Sequence, residues 1–300
     1  MKHQKCLSCE HYPCANLLLK VDELDGGELY VLNESIKQKK IVPCQPMIPY
    51  HSCLLLFKAA YDACTENDEI EDEDKLVDVP LLGLIWQCLY DLKASAFLAL
   101  TAHYRSAIQL LRPVIENILV GLYFEERLLK ASEDERDHVW DDLDNWRAGN
   151  YQLNRTDLDF GNLKKWLGKN KVITNDDKER LGKLWGELGK KYIHPYFWHM
   201  DIGEENHSKF PAATRYDGDH YYEWLEFFQN IIDFVIEKIF YHYPDIAETV
   251  DAKEALGYLK NLESLEKERG IKMIKSKYLK DRIAQVPDII DELLELKSEN

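Results

Sequence analysis

The stretch from Tyr221 to Tyr241 constrains the fold more than any other. Trp224, Leu225, Phe227, Phe228, Ile231, Ile232, Phe234, Val235, Ile236, Ile239 and Phe240 leave it apolar nearly all round. At helical spacing such a segment has no broad polar face to give to water, so other elements must surround it. It belongs at the centre of a helical bundle. Its neighbours can be read from the same sequence. Tyr104, Ile108, Leu111, Ile115, Ile118, Leu119 and Leu122 step by three and four, as one face of a long helix requires. Pro113 falls within that run and predicts a kink or break near Gln109 to Arg112, because proline lacks an N–H and crowds the preceding turn. Ser132-Glu133-Asp134-Glu135 has the pattern of a capping box and opens a helix to about Trp146. Thr174-Asn175-Asp176-Asp177 caps another, through Leu181, Leu184, Trp185 and Leu188 to Ile193, which Pro195 helps to end. Polar, Gly-containing stretches at 148–162 and 199–219 read as loops. The predicted fold class is mainly α.

Composition narrows the function. The 300 residues are 45% hydrophobic, enough for a sizeable core. Lys and Arg total 38 against 54 Asp and Glu, a net charge of −16. That balance excludes a general nucleic-acid coat, since phosphate binding needs a surplus of cations. One local exception is Lys267, Arg269, Lys272, Lys275, Lys277, Lys280 and Arg282. This stretch reads either as a solvated helix face or as a docking patch for RNA phosphates or an acidic partner, with Lys272 and Lys275 at its centre. Met1 to Cys6 has no apolar run behind its charges, so no secretory signal is expected. The apolar region Pro80 to Thr101 is interrupted by Asp91 and Lys93, which predicts a buried helix and no membrane span. A phosphate-cradling Gly-rich loop, a nucleophile elbow and HExxH are all missing, which argues against kinases, P-loop ATPases, serine hydrolases and zincins.

Residues 1–64 differ in character from the rest. They hold six of the seven cysteines, the pair Gly26-Gly27, Pro43, Pro46 and Pro49, and a strand candidate at Glu28 to Leu32. Seven acids in the nine residues from Glu66 to Asp74 read as a solvated linker. The expected organisation is a Cys-rich module at 1–64, an acidic linker at 65–79, a helical bundle at 80–245, and a helical C-terminal extension with a basic segment at 246–300. Within the module, Cys6-x2-Cys9-x4-Cys14 puts three thiolates within reach of one ion. Zn2+ takes four such donors in a structural site, and the fourth would be Cys44, with Cys53, His51 or His11 as substitutes. A region short of apolar runs also gains folding energy from a metal. Unpaired, partly buried thiols are the simpler alternative. Cys64 and Cys88 read as core residues. An odd cysteine count crowded toward one end points to a reducing cytoplasm.

Just before the central helix lies Arg215-Tyr216-Asp217-Gly218-Asp219-His220-Tyr221-Tyr222. An Arg to hold a phosphate and a His to move a proton are a minimal kit for attack by a ribose 2′-hydroxyl on its own phosphodiester. Read as Arg-x4-His-x-Tyr, the residues Arg215, His220 and Tyr222 resemble the motif of HEPN toxins from HEPN/nucleotidyltransferase toxin–antitoxin pairs. The helix from Thr101 through Arg112 and Glu116 resembles the long second helix of HEPN-like and abortive-infection proteins. The resemblance covers roughly residues 80–245 and implies an all-α bundle, a homodimer with facing motifs, and metal-independent RNA cleavage. It implies that Arg215 holds the scissile phosphate, that His220 is the general acid or base, and that Tyr222 matches the tyrosine modified by an antitoxin partner. Where the family usually has Asn, Asp or His after the Arg, this chain has Tyr216, so an inactive HEPN-like scaffold is also open.

His194 in Tyr192-Ile193-His194-Pro195 resembles the YxHP ending of some HEPN-like families and is an alternative active histidine; a His near a helix C-terminus also suits the helix dipole. His199, Asp201, Glu204, Glu205 and His207 read as an acidic loop more simply than as a metal site. Arg105, Arg112 and Glu116 share one helical region, with Arg112 and Glu116 at i, i+4, and read as a buried ion pair or as the lining of a ligand cleft. Three functions are carried forward: a cytoplasmic HEPN-like ribonuclease or toxin in antiviral defence, a non-catalytic zinc-stabilised interaction scaffold, and a small-ligand sensor.

Overall fold

The computed structural model describes residues 44–66, 79–149, 158–189, 218–269 and 277–284, and among them the regular elements are all helices. In chain order they are α1 (Cys44–Glu66), α2 (Pro80–Leu100), α3 (Tyr104–Gln109), α4 (Leu111–Lys130), α5 (Glu133–Arg147), α6 (Phe160–Lys169), α7 (Asn175–Leu188), α8 (Gly218–His242), α9 (Val250–Arg269) and α10 (Lys277–Ile283). A short 3-10 turn, Pro244–Glu248, joins α8 to α9.

The apolar stretch forms α8 and is enclosed as its sequence requires, with Trp224, Phe228, Ile232, Val235, Ile236 and Ile239 fully buried. It packs against α1, α2, α3 and α4. Among its buried polar side chains, Gln229 donates to Asp233 Oδ1 at 3.1 Å, and Asn230 donates to the Glu226 carbonyl at 2.7 Å. The predicted break is also present. α3 ends at Gln109 and α4 begins at Leu111, which puts Pro113 in the first turn of a new helix, where its missing N–H costs nothing. Both capping boxes form, Ser132 with Glu135 and Thr174 with Asp177. α2 and α4 approach closely at Gly121, where a Cβ would lie 3.2 Å from the Leu81 Cα; only glycine fits that crossing without displacing backbone.

Two regions sit differently from the sequence reading. Residues 44–64, assigned to the Cys-rich module, form most of α1, whose Met47, Ile48, Cys53, Leu56 and Ala60 lie in the bundle core. Three prolines disguised this helix. Pro43 precedes it and Pro46 falls in its first turn, so only Pro49 removes a donor that helical bonding would use. The stretch read as a C-terminal extension contributes α9, with Ala252, Ala255, Leu259 and Leu262 buried. α1 and α9 are fastened by Ser52, whose hydroxyl lies 3.0 Å from the Ala255 carbonyl, and by Lys58, whose ammonium is 2.6 Å from Asp251. In the basic segment, Arg282 is committed to the fold, its guanidinium 4.5 Å from the centre of the Phe240 ring. Lys272 and Lys275 lie outside the described residues. So does the strand candidate at 28–32, together with most of the acidic linker.

α6 occupies the end of a stretch read as loop. Asp159 caps it by accepting from the Asn162 N–H at 2.7 Å, a signal that Gly161 obscured. By length and composition, α2 and the stretch Tyr104–Lys130 are apolar enough to cross a membrane; 50% and 61% of those windows are buried within the bundle. Cys64 and Cys88 are core residues, as expected.

Candidate functional site

The first turn of α8 carries the candidate chemistry. Tyr221 and Trp224 are fully buried and point this turn into the bundle. Their neighbours His220 and Tyr222 lie on either side of the inward direction, and both are half-buried. The His220 ring stacks on Tyr104, with centroids 6.1 Å apart and planes 29° apart. Tyr222 meets Tyr221 edge-on at 5.6 Å.

Tyr104 is brought there by a tight reversal between α2 and α3. The His103 N–H donates to the Leu98 carbonyl at 2.7 Å, and Ala102 adopts a φ of 65°, a left-handed conformation costly for a residue with a Cβ. The reversal is clamped to α8 by a buried chain. The Trp224 indole N–H donates to Ser95 Oγ at 2.9 Å, and Ser95 Oγ donates to the Ala107 carbonyl at 2.7 Å. Three helices thus hold the first turn of α8, and with it His220, beside Tyr104. Arg105, next to Tyr104 at the start of α3, is half-buried.

Arg112 and Glu116 do pair, with Arg112 Nε 3.0 Å from Glu116 Oε1, but their side chains are 27% and 44% exposed. The expected buried pair is therefore a surface one, worth only a few tenths of a kcal/mol. The Arg112 guanidinium also lies 4.2 Å from the Trp185 ring centre, so it bridges α4 to α7. That contact was not legible in the sequence, where only the i, i+4 spacing could be seen.

Arg215 and His194 lie outside the described residues, as do Cys6, Cys9, Cys14 and His11. Cys44 is the first residue of α1. Of the substitute fourth ligands, Cys53 is fully buried in the core, and burial pushes its thiol up to about 12. A thiol that resists ionisation is a poor zinc ligand. His51 is half-buried on the same helix, and burial lowers its pKa. Among the described residues, no three His, Cys, Asp or Glu side chains are grouped to hold a metal ion.

A second cluster, which sequence reasoning missed, lies at the far end of α8. Lys238 reaches Asp177 Oδ2 at 2.9 Å, while Arg180 spans Asp177 Oδ1 and Glu237 Oε2, each at 3.0 Å. The single lysine of α8, set among apolar residues next to Glu237, was the available signal. Comparisons of the chain with protein-family models, with curated proteins and with solved structures return no match.

Proposed function

We propose that the chain is a HEPN-like cytoplasmic effector, a metal-independent endoribonuclease of the toxin type acting in antiviral defence. The observation that carries this reading is the placement of His220 and Tyr222 in the first turn of α8, with the imidazole set against Tyr104 at the bundle's edge. There an imidazole can exchange a proton with a bound RNA strand while its helix stays fixed in the core. In the proposed step the ribose 2′-oxygen attacks the adjacent phosphorus and the bond from phosphorus to the 5′-oxygen breaks. The proton lost by the 2′-hydroxyl goes to a base, and the departing 5′-oxygen receives one. His220 performs one of these transfers, and Arg215 neutralises charge on the phosphate. His194 is the alternative active histidine. Tyr222 is the position for modification by an antitoxin or other defence partner, and a homodimer would set two such motifs face to face. Cys6, Cys9, Cys14 and Cys44 form the donor set for a structural Zn2+ that steadies the N-terminal residues without entering the chemistry.

Incubation of the full chain with single-stranded RNA in EDTA tests the assignment. Wild type should cleave, and His220→Ala should cleave at least ~100-fold more slowly, the smallest loss expected for removal of a general acid or base. Equal rates would remove His220 from the reaction.

A further inference from the structure

Along α1, His51, Leu54, Lys58 and Tyr61 recur at three- and four-residue steps and so share one side of the helix. Together with Trp86 of α2 and Tyr258 of α9 they border a cavity of about 440 Å³. That volume lies toward the small end of ligand pockets, roughly 300–1,000 Å³. The cavity is separate from the His220 turn, which contributes no side chain to it.

Its walls are aromatic and ordered. Trp86 stacks on Phe57 at 5.4 Å with planes 28° apart, and Phe57 stacks on Tyr61 at 6.4 Å and 19°. Tyr90 meets Trp86 edge-on at 5.2 Å. Unlike the fully buried Trp224, Trp86 is 38% exposed. An indole held in one plane and open to solvent offers a flat surface on which another ring can stack.

Charge narrows the ligand further. Lys58 is the one charged side chain among the described residues bordering the cavity, and its ammonium is matched by Asp251 at 2.6 Å and Asp62 at 3.1 Å. An anion would have to compete with two carboxylates already in place, and a cation would meet the ammonium. His51 adds one polar ring to the cavity's border beside the apolar Leu54, Phe57 and Trp86. The Tyr258 hydroxyl is turned to Glu254 Oε1 at 2.5 Å. We propose that this cavity binds a neutral, planar small molecule of one or two aromatic rings, the size of an indole or a nucleobase, stacked against Trp86. The proposal does not depend on ribonuclease activity.

The test is calorimetric titration of the full chain with indole and with adenine, using benzoate as the anionic control. At least one neutral ring should bind saturably and more tightly than benzoate. Trp86→Ala should weaken it about tenfold by removing the stacking surface. Leu54→Trp, which crowds the cavity beside Trp86 and leaves Trp86 in place, should weaken it as well. Neither Trp86 nor Leu54 is fully buried, so both variants should keep wild-type helicity by circular dichroism. Failure of both neutral rings to bind saturably at millimolar concentration would overturn the proposal. So would binding that survives both substitutions, or benzoate binding as tightly as the neutral rings.

Discussion

Replacing Asp177 with alanine should cost about 3–5 kcal/mol of unfolding free energy, the penalty for leaving one partner of a buried ion pair uncompensated. Its carboxylate and the Lys238 ammonium are 2.9 Å apart, with side chains only 7% and 6% exposed. Without Asp177, the nearest acceptor for that ammonium among the described residues is the Val172 carbonyl at 3.4 Å. The rings of Phe234 and Tyr241, at 5.1 and 5.7 Å, offer only partial compensation. Asp177 also accepts the Thr174 N–H at 3.0 Å, so the α7 cap would loosen as well. Lys238→Met should cost less, because Asp177 keeps Arg180 and its cap. The double variant should be more stable than Asp177→Ala alone, since it leaves no buried cation behind. Denaturant unfolding of the three variants measures this. A cost for Asp177→Ala below about 1 kcal/mol would mean that the pair is solvated in solution.

Acidification from pH 6.5 to pH 4 should cost a further ~3 kcal/mol through His242. Burial, reinforced by the Lys238 charge, lowers its pKa from 6.5 to about 4. Its Nε2 is buried with no hydrogen-bond partner among the described residues. Above pH 6.5 the imidazole is neutral in both folded and unfolded chains and contributes no pH dependence. Between 6.5 and about 4 the unfolded chain takes up a proton that the folded chain refuses, so stability falls as pH falls. Below about 4 both states are charged and the loss stops growing. His51, whose pKa burial also lowers, adds loss of the same sign. Asp177 behaves separately. Burial pushes its carboxyl up, but Lys238, the Thr174 N–H and Arg180 outweigh burial and hold it below its ordinary value. Its contribution is therefore present above the ordinary carboxylate range and is lost only at pH values below His242's window. Urea melts of wild type and His242→Gln at pH 7 and pH 4.5 should diverge, with the variant showing the shallower loss. Parallel loss in both would place the pH dependence elsewhere.

Both predictions concern an end of α8 whose chemistry the sequence concealed. The helix itself was legible, because a 3.6-residue period with apolar side chains on every face leaves no alternative to burial. So were the Ser132 and Thr174 caps and the break before Pro113, which depend on neighbours in the chain. What was hidden depends on partners far apart in sequence. Lys238 and Asp177 meet across two helices, and Tyr104 reaches His220 only through the Ala102 reversal. Residues 44–64 group with the Cys-rich segment on their cysteines and prolines, whereas Met47, Ile48, Leu56 and Ala60 of α1 lie in the bundle core. Trp86 read as one more apolar residue in a buried run; its exposure and its stacking on Phe57 set it apart.

The ends of the RNA produced in EDTA test the proposed activity most directly. Attack by the 2′-hydroxyl predicts a 2′,3′-cyclic phosphate on one fragment and a 5′-hydroxyl on the other, and loss of both products in His220→Ala. Fragments ending in 3′-hydroxyl and 5′-phosphate, or RNA left intact by the wild-type chain, would contradict it.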